Sequence, residues 1–492
     1  MRRFLVLSLA VALAGLVSPA RAADDALDTA LKLFDKRRYE QATRSLEDAL
    51  ARLDAERRAR AQLVLGTIYL RNADLHDALA SAAAAAELDY LDRLIRTGVE
   101  GRSRYARLYL AEALLARGNA REAARHFEQV RADPGVDGAH RAFAGVGLGS
   151  AVWAREPEKA KSLWKAAGGG PEIALARAAA QGRAGAADTK SIRKLADDTD
   201  RRGLSPRAGR YLLEIYLAAG APEQALAVAR LADWGAASYV ERFKASKGTA
   251  KSISFYDLAL LADLAQLYRE LARLRLSQAA ADARMKPTAE YYLAEALDDL
   301  GAKDEAAGSV QAFLARADAP AQFRERARAR AALIAWRQGR AAEAEKAWTA
   351  LAESSSSSEV LADVVLGCAE AGAQCAKALA RAAQVAEAGD GRRNQRLNYA
   401  LGSYQLRKKD YARAIAFMES GRDKSNKNKI EANDPEMLAC LAEAYYRTKQ
   451  FSEGLEIFFE MGQEFSAVRQ IQEAVQGVYS MEQRSAGDVR IL

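Results

Sequence analysis

Small and aromatic residues recur along this chain at fixed steps, and the steps are those of a helix folded back on itself. From Gly66 the pattern runs Gly66, Tyr69, Ala78, Ala82, Ala85, in steps of three, nine, four and three. The same steps lead from Leu213 through Tyr216, Ala225, Ala229 and Ala232, and from Ala111 through Leu114, Ala123, Phe127 and Val130. They return near the far end from Ala442 through Tyr445, Gly454, Phe458 and Met461. Steps of three and four keep residues on one helical face. The step of nine must therefore hold a turn, and polar or glycine residues sit where it falls: Asn72, Gly118-Asn119, Gly220, Gly301, Gly339, Lys408-Lys409-Asp410 and Lys449-Gln450. Each copy predicts two antiparallel helices. The small residue lets them cross closely and the aromatic or leucine fills the space beside the crossing.

Looser copies extend the series. Anchor positions fall at Ala42, Ala78, Ala123, Ala160, Ala225, Ala306, Ala344, Ala414 and Gly454. Nine prolines in 492 residues, with Ala, Leu, Glu, Arg and Gln dominant, fit a chain that is nearly all helix. The pattern resembles the tetratricopeptide repeat, a helix-turn-helix unit of about 34 residues with small and aromatic positions of this kind. The matching residues include Gly66, Tyr69 and Ala78, then Leu212, Tyr216 and Ala225, then Ala442, Tyr445 and Phe458. The tryptophan that often opens such a unit and the proline that usually closes it are missing, apart from Pro134. The resemblance implies an all-α, right-handed α-solenoid of about eleven or twelve units. We divide the chain into an N-terminal array over 23–233, an irregular part over 234–285 and a C-terminal array over 286–492. In the irregular part a basic loop, Glu241 to Ser252, precedes Leu260, Leu264, Leu267, Leu271 and Leu274. That heptad spacing is intramolecular core or, alternatively, a seam for self-association.

The first residues read as an address. Arg2 and Arg3 precede an apolar run from Phe4 to Val17, and Ala20-Arg21-Ala22 offers a small-x-small cleavage site. We expect cleavage between Ala22 and Ala23, and a periplasmic protein peripheral to a membrane at most. The run is too short to span a bilayer comfortably as a mature helix. Of the formal charge of +8, three positive residues lie in this segment. The remaining excess is small and interspersed, which argues against a nucleic-acid partner.

Little in the chain is suited to covalent chemistry. His76 (in an expected turn), His126 and His140 are the only histidines, and none has a His or Cys partner at metal-ligand spacing. No serine or cysteine has the setting of a nucleophile. Asp298-Asp299 and Glu343/Glu345 read as solvated helix faces with oppositely charged neighbours. Glu353-Ser354 is a candidate for the Glu-Ser pair of lytic transglycosylases, which also carry exported helix-pair arrays, but it runs into a five-serine tract without that family's further motif. The tract reads as a flexible inter-helix loop. Cys440 sits on an apolar face as a buried free thiol. Cys368 and Cys375 bracket Gly372; they lie too far apart in one continuous helix, but across a turn they can meet as a disulfide.

These observations point to a non-enzymatic protein without cofactor or metal. We expect it to bind protein partners of the cell envelope through the groove of its solenoid, in secretion, motility or cell-wall assembly. The alternative is direct binding of an anionic polysaccharide or of peptidoglycan. The envelope assignment follows from resemblance to exported tetratricopeptide proteins.

Overall fold

The turn positions hold backbone that ends one helix and starts the next. Gly118, Gly220, Gly301 and Gly339 adopt φ of 79, 66, 79 and 86°, and Lys409 and Lys449 follow at 63 and 62° despite their side chains. Arg37, Gly185 and Gly372 are also left-handed. After each, the next N–H reaches back five residues: Asn119 to the Leu114 carbonyl at 2.9 Å, Ala221 to Tyr216 at 2.8 Å, Arg340 to Ala335 at 2.9 Å. This is a Schellman turn, which satisfies carbonyls at the helix end and needs a residue free to take positive φ.

The computed structural model describes residues 19–96, 102–200, 205–231, 258–388, 394–424 and 432–462. All regular structure among them is helical. Hairpins are formed by α1 (Pro19–Asp35) and α2 (Tyr39–Leu50), α4 (Arg102–Ala116) and α5 (Ala120–Ala132), α6 (Gly138–Val152) and α7 (Pro157–Ala166), α8 (Pro171–Arg183) and α9 (Thr189–Asp197), and α10 (Pro206–Ala218) and α11 (Pro222–Leu231). They continue with α13 (Lys286–Asp299) and α14 (Lys303–Ala315), α15 (Ala321–Arg337) and α16 (Ala341–Ser354), α17 (Ser358–Ala371) and α18 (Ala376–Ala388), α19 (Gln395–Arg407) and α20 (Tyr411–Gly421), and α21 (Pro435–Arg447) and α22 (Phe451–Met461). Two long helices, α3 (Ala55–Arg96) and α12 (Leu258–Ala279), stand outside this pairing.

Helices approach closely where a small residue faces a large one. A Cβ added to Gly149 would sit 2.4 Å from Trp164 Nε1, and one added to Gly147 would sit 2.4 Å from Phe127 Cζ. Helix α6 is therefore flanked by α5 and α7 through its glycines. The buried Trp164 indole donates to the Val146 carbonyl at 3.1 Å, and Trp348 donates to Ala329 at 3.3 Å in the α15–α16 hairpin. Between hairpins the repeat tyrosines act as pins. The hydroxyl of Tyr216 donates to Asp197 on the preceding helix at 2.8 Å, Tyr445 to Glu419 at 2.7 Å, and Tyr69 to Glu47. Leu212, Tyr216, Ala225, Ala442 and Phe458 are all fully buried, as the repeat reading requires, and Tyr445 is nearly so.

The stretch with the clearest repeat spacing departs from that reading. No turn occurs at Asn72; α3 runs unbroken from Ala55 to Arg96. Its Asn72-Ala73-Asp74 contains no glycine, and no residue there takes positive φ, so nothing stops the helix. His76 is consequently buried inside α3. Gly66 meets Leu276 of α12 rather than a hairpin partner, and Tyr69 stacks on Tyr268 at 5.9 Å. Ala78 is only half-buried, and Leu79 beside it takes the buried position. The heptad leucines are also accounted for within the chain: Leu260, Leu264, Leu267 and Leu271 are buried and Leu274 is half-buried. They are core, which removes the seam proposed for self-association.

The chain forms two compact units that do not follow its linear order. The first contains Met1–Asn72, Tyr268–Leu401 and Asp423–Ala432; the second contains Ala73–Leu267, Gly402–Arg422 and Asn433–Leu492. In the first, the N-terminal part of α3 packs on the C-terminal part of α12, with Gln62 donating to Gln278 at 3.1 Å. The apolar run from Phe4 to Val17, the basic loop 241–252 and residues 425–431 between α20 and α21 lie outside the described residues. Ala22 and Ala23 fall within α1.

Positive φ costs an L-residue about 1–2 kcal/mol. Lys409→Gly and Lys449→Gly are therefore expected to raise the thermal unfolding midpoint, and Gly220→Ala to lower it. Gly149→Ala, which drives a methyl into Trp164, is expected to cost about 1–3 kcal/mol in urea titration.

Candidate interaction surface

In the first unit the opening helices of successive hairpins carry charges of alternating sign. Helix α13 presents Glu295, Asp298 and Asp299; α15 presents Arg326, Arg330 and Arg337; α17 presents Glu359, Asp363 and Glu370; α19 presents Arg396. Arg337 bridges two neighbours, with Nη1 2.6 Å from Asp298 and Nη2 2.7 Å from Glu370. Arg330 Nη2 lies 3.0 Å from Glu295. Asp363 receives Arg326 at 2.5 Å and Arg396 at 2.9 Å. Asp298 has 0% of its side chain exposed, so the expectation of a solvated Asp298-Asp299 pair is wrong. Arginines one hairpin further along cover it, and nothing in the local sequence of α13 announces them. Glu343, by contrast, is exposed as expected.

The ladder sets ionisation. Burial alone would raise Asp363, but Arg396 and Arg326 outweigh it and hold the carboxyl below its usual range. Asp299 goes the other way: burial, with Glu295 and Glu370 close by, pushes it up to about 7 against the pull of Arg330 and Arg269.

The second unit is closed by its own side chains. Arg207 of α10 reaches Glu112 of α4 at 3.4 Å and lies 4.3 Å over the Phe143 ring of α6, which stacks on Tyr211 at 6.2 Å. The buried Glu214 lies between Arg183 at 2.9 Å and Arg210 at 3.7 Å. Burial and the adjacent Glu214 push the Asp263 carboxyl well above its usual range.

The other candidate residues stay apart. His126 is buried on α5, and burial together with Arg125 lowers its pKa. His140 lies in the first turn of α6, where its backbone N–H donates to the side chain of the capping residue Asp137 at 3.0 Å. No metal-binding group of three His, Cys, Asp or Glu occurs among the described residues, and none of the described helices is long and apolar enough to cross a membrane. Cys368 and Cys375 are bonded across the α17–α18 turn, with Cα atoms 6.2 Å apart. Cys440 is free and half-buried, its thiol pushed up by burial. The serine tract is held rather than loose: Ser355 is buried and donates to Glu325 at 2.9 Å, and Ser357 caps α17.

Two depressions open in the first unit. A polar one of about 680 Å³ lies by the turns at Gly301 and Gln338. A more apolar groove of about 400 Å³ runs between α14 and α16 over α15, lined by Leu314, Ala331, Ala332, Ala347 and Leu351, with Arg328 among its polar residues.

No family model and no curated protein matches the chain. Among solved structures it is similar to yeast Tom70, at 13% identity and a TM-score of 0.32 over 95% of this chain and 96% of that one. It is also similar to the TPR domain of P58(IPK), at 15% identity and 0.19 over 87% and 98%, and to the APC/C Cut9–Hcn1 assembly, at 14% and 0.27 over 94% and 90%. These scores are low, and the tetratricopeptide-like character of the fold rests on its own hairpins.

A carboxyl whose folded pKa is raised binds its proton more tightly folded than unfolded. Its contribution is fully present below about pH 4 and is lost as pH rises towards 7. Asp299→Asn, neutral throughout, should gain in stability relative to the parent between those limits and level off above them, as read from urea midpoints across pH. Thiol titration of unfolded, unreduced protein should find one free thiol, Cys440.

Proposed function

We propose that this chain is a non-enzymatic scaffold of the cell envelope, exported to the periplasm, that binds protein partners and serves the assembly or coupling of an envelope machine in secretion, motility or cell-wall synthesis. The observation that carries this reading is the stack of hairpins with the charges of their opening helices paired from one hairpin to the next. Such a face is fixed in shape and extended, and its reactive groups are engaged with one another instead of converging on a substrate. The apolar leader over Phe4 to Val17 with Ala20-Arg21-Ala22 supports export. The Cys368–Cys375 bond fits an oxidising compartment.

Fractionation and N-terminal sequencing are expected to find a periplasmic chain beginning at Ala23; recovery of the intact leader in the cytoplasm would end the export reading. The immobilised mature protein should retain defined proteins from solubilised envelopes and should not retain purified peptidoglycan or exopolysaccharide. His140→Ala should leave retention unchanged. Glycan retention alone would replace the scaffold reading with the polysaccharide one.

A further inference from the structure

Helix α15 carries five arginines, and four have acceptors. Arg324 donates to the carbonyls of Arg316, Ala317 and Ala319; Arg326 meets Asp363; Arg330 meets Glu295; Arg337 meets Asp298 and Glu370. Arg328 is the exception. It is exposed, has no acceptor among the described residues, and lines the groove between α14 and α16. The floor of that groove is short-chained: Ala331 and Ala332 of α15 and Ala347 and Ala350 of α16 leave a trough, walled by Leu314 and Leu351. Arg340 at the rim is already held by Glu343 at 2.6 Å. The groove thus offers apolar surface beside one cation that lacks a counter-charge, and its volume of about 400 Å³ admits apolar side chains of a docking segment.

We propose that this groove takes an acidic, apolar segment of a partner protein, with small or branched side chains on the alanine floor and a carboxylate on Arg328. This rests on the scaffold reading and names its docking chemistry. A neutral apolar segment would leave Arg328 unanswered, and a basic one would set like charges together. Guanidinium and carboxylate match geometrically through paired N–H donors.

The test uses the mature protein and two labelled helical peptides, one built of leucine, alanine and glutamate, the other with lysine in place of glutamate. The acidic peptide should bind and the lysine peptide should not. Arg328→Glu should weaken the acidic peptide by roughly tenfold or more, about the effect of one charge-assisted contact, and should favour the lysine peptide. Ala350→Trp, at an exposed position that fills the trough, should weaken the acidic peptide while thermal unfolding stays unchanged. Equal binding of both peptides, or indifference to Arg328→Glu, overturns the proposal. So does polygalacturonate binding that needs Arg328 and ignores Ala350→Trp, which would make the site one for anionic polymer. A concentration-dependent dimer abolished by Arg328→Glu would also overturn it, since the occupant would then be a second copy. If envelope proteins are retained equally by the parent and by Arg328→Glu, only this inference fails. If the parent retains none, the scaffold reading itself fails.

Discussion

The fold depends on stopping a helix abruptly and at intervals. A chain so rich in helix formers would otherwise continue, as α3 does for 42 residues where no left-handed residue intervenes. At nine turns among the described residues one residue takes positive φ, and the six-residue hydrogen bond around it reverses the chain within about three residues. Everything built on the hairpins follows from that: glycines facing tryptophan and phenylalanine, and tyrosines reaching back to the previous helix. Six of these nine positions are glycine; Arg37, Lys409 and Lys449 hold the conformation against their own side chains.

Paired charge then fixes which hairpin lies beside which. An apolar face tolerates sliding, because one alanine replaces another with little penalty. A buried carboxylate such as Asp298 does not, since removing its arginine leaves an uncompensated charge in a poorly solvated place. The alternation of acidic α13, basic α15, acidic α17 and basic α19 therefore acts as a register device. It also means that the face of these helices is largely self-satisfied. A partner of the proposed kind would meet surfaces beside it, where the Arg328 charge stays open.

What the sequence reveals follows the range of the forces involved. Turns at Gly118, Gly220, Gly301, Gly339, Lys409 and Lys449 are legible because the determinant is local. Leu212, Tyr216, Ala225, Ala442 and Phe458 are legible because a helical face has a period. The turn at Asn72 is misread because the spacing of small and aromatic residues is compatible with either a bend or a straight helix. The burial of Asp298 is hidden because its partners stand on other helices. In hindsight the signal for the ladder is the density of arginine in "RERARAR", residues 324–330, which a solvated face would not need. The α14–α16 groove has no linear signature.

The interleaving of the two units bears on how the chain reaches its structure. In a simple repeat array each unit finishes folding against the one just made. Here the N-terminal part of α3 must wait for α12, whose contact residues lie about two hundred positions later, as Gln62 with Gln278 shows. Closure of so long a loop makes formation of the first unit slow compared with that of a local hairpin. Until then Leu65, Ile68 and Tyr69, all fully buried in the finished protein, present an uncovered apolar stripe. The early segment is thus the one most in need of a chaperone while the remainder of the chain emerges.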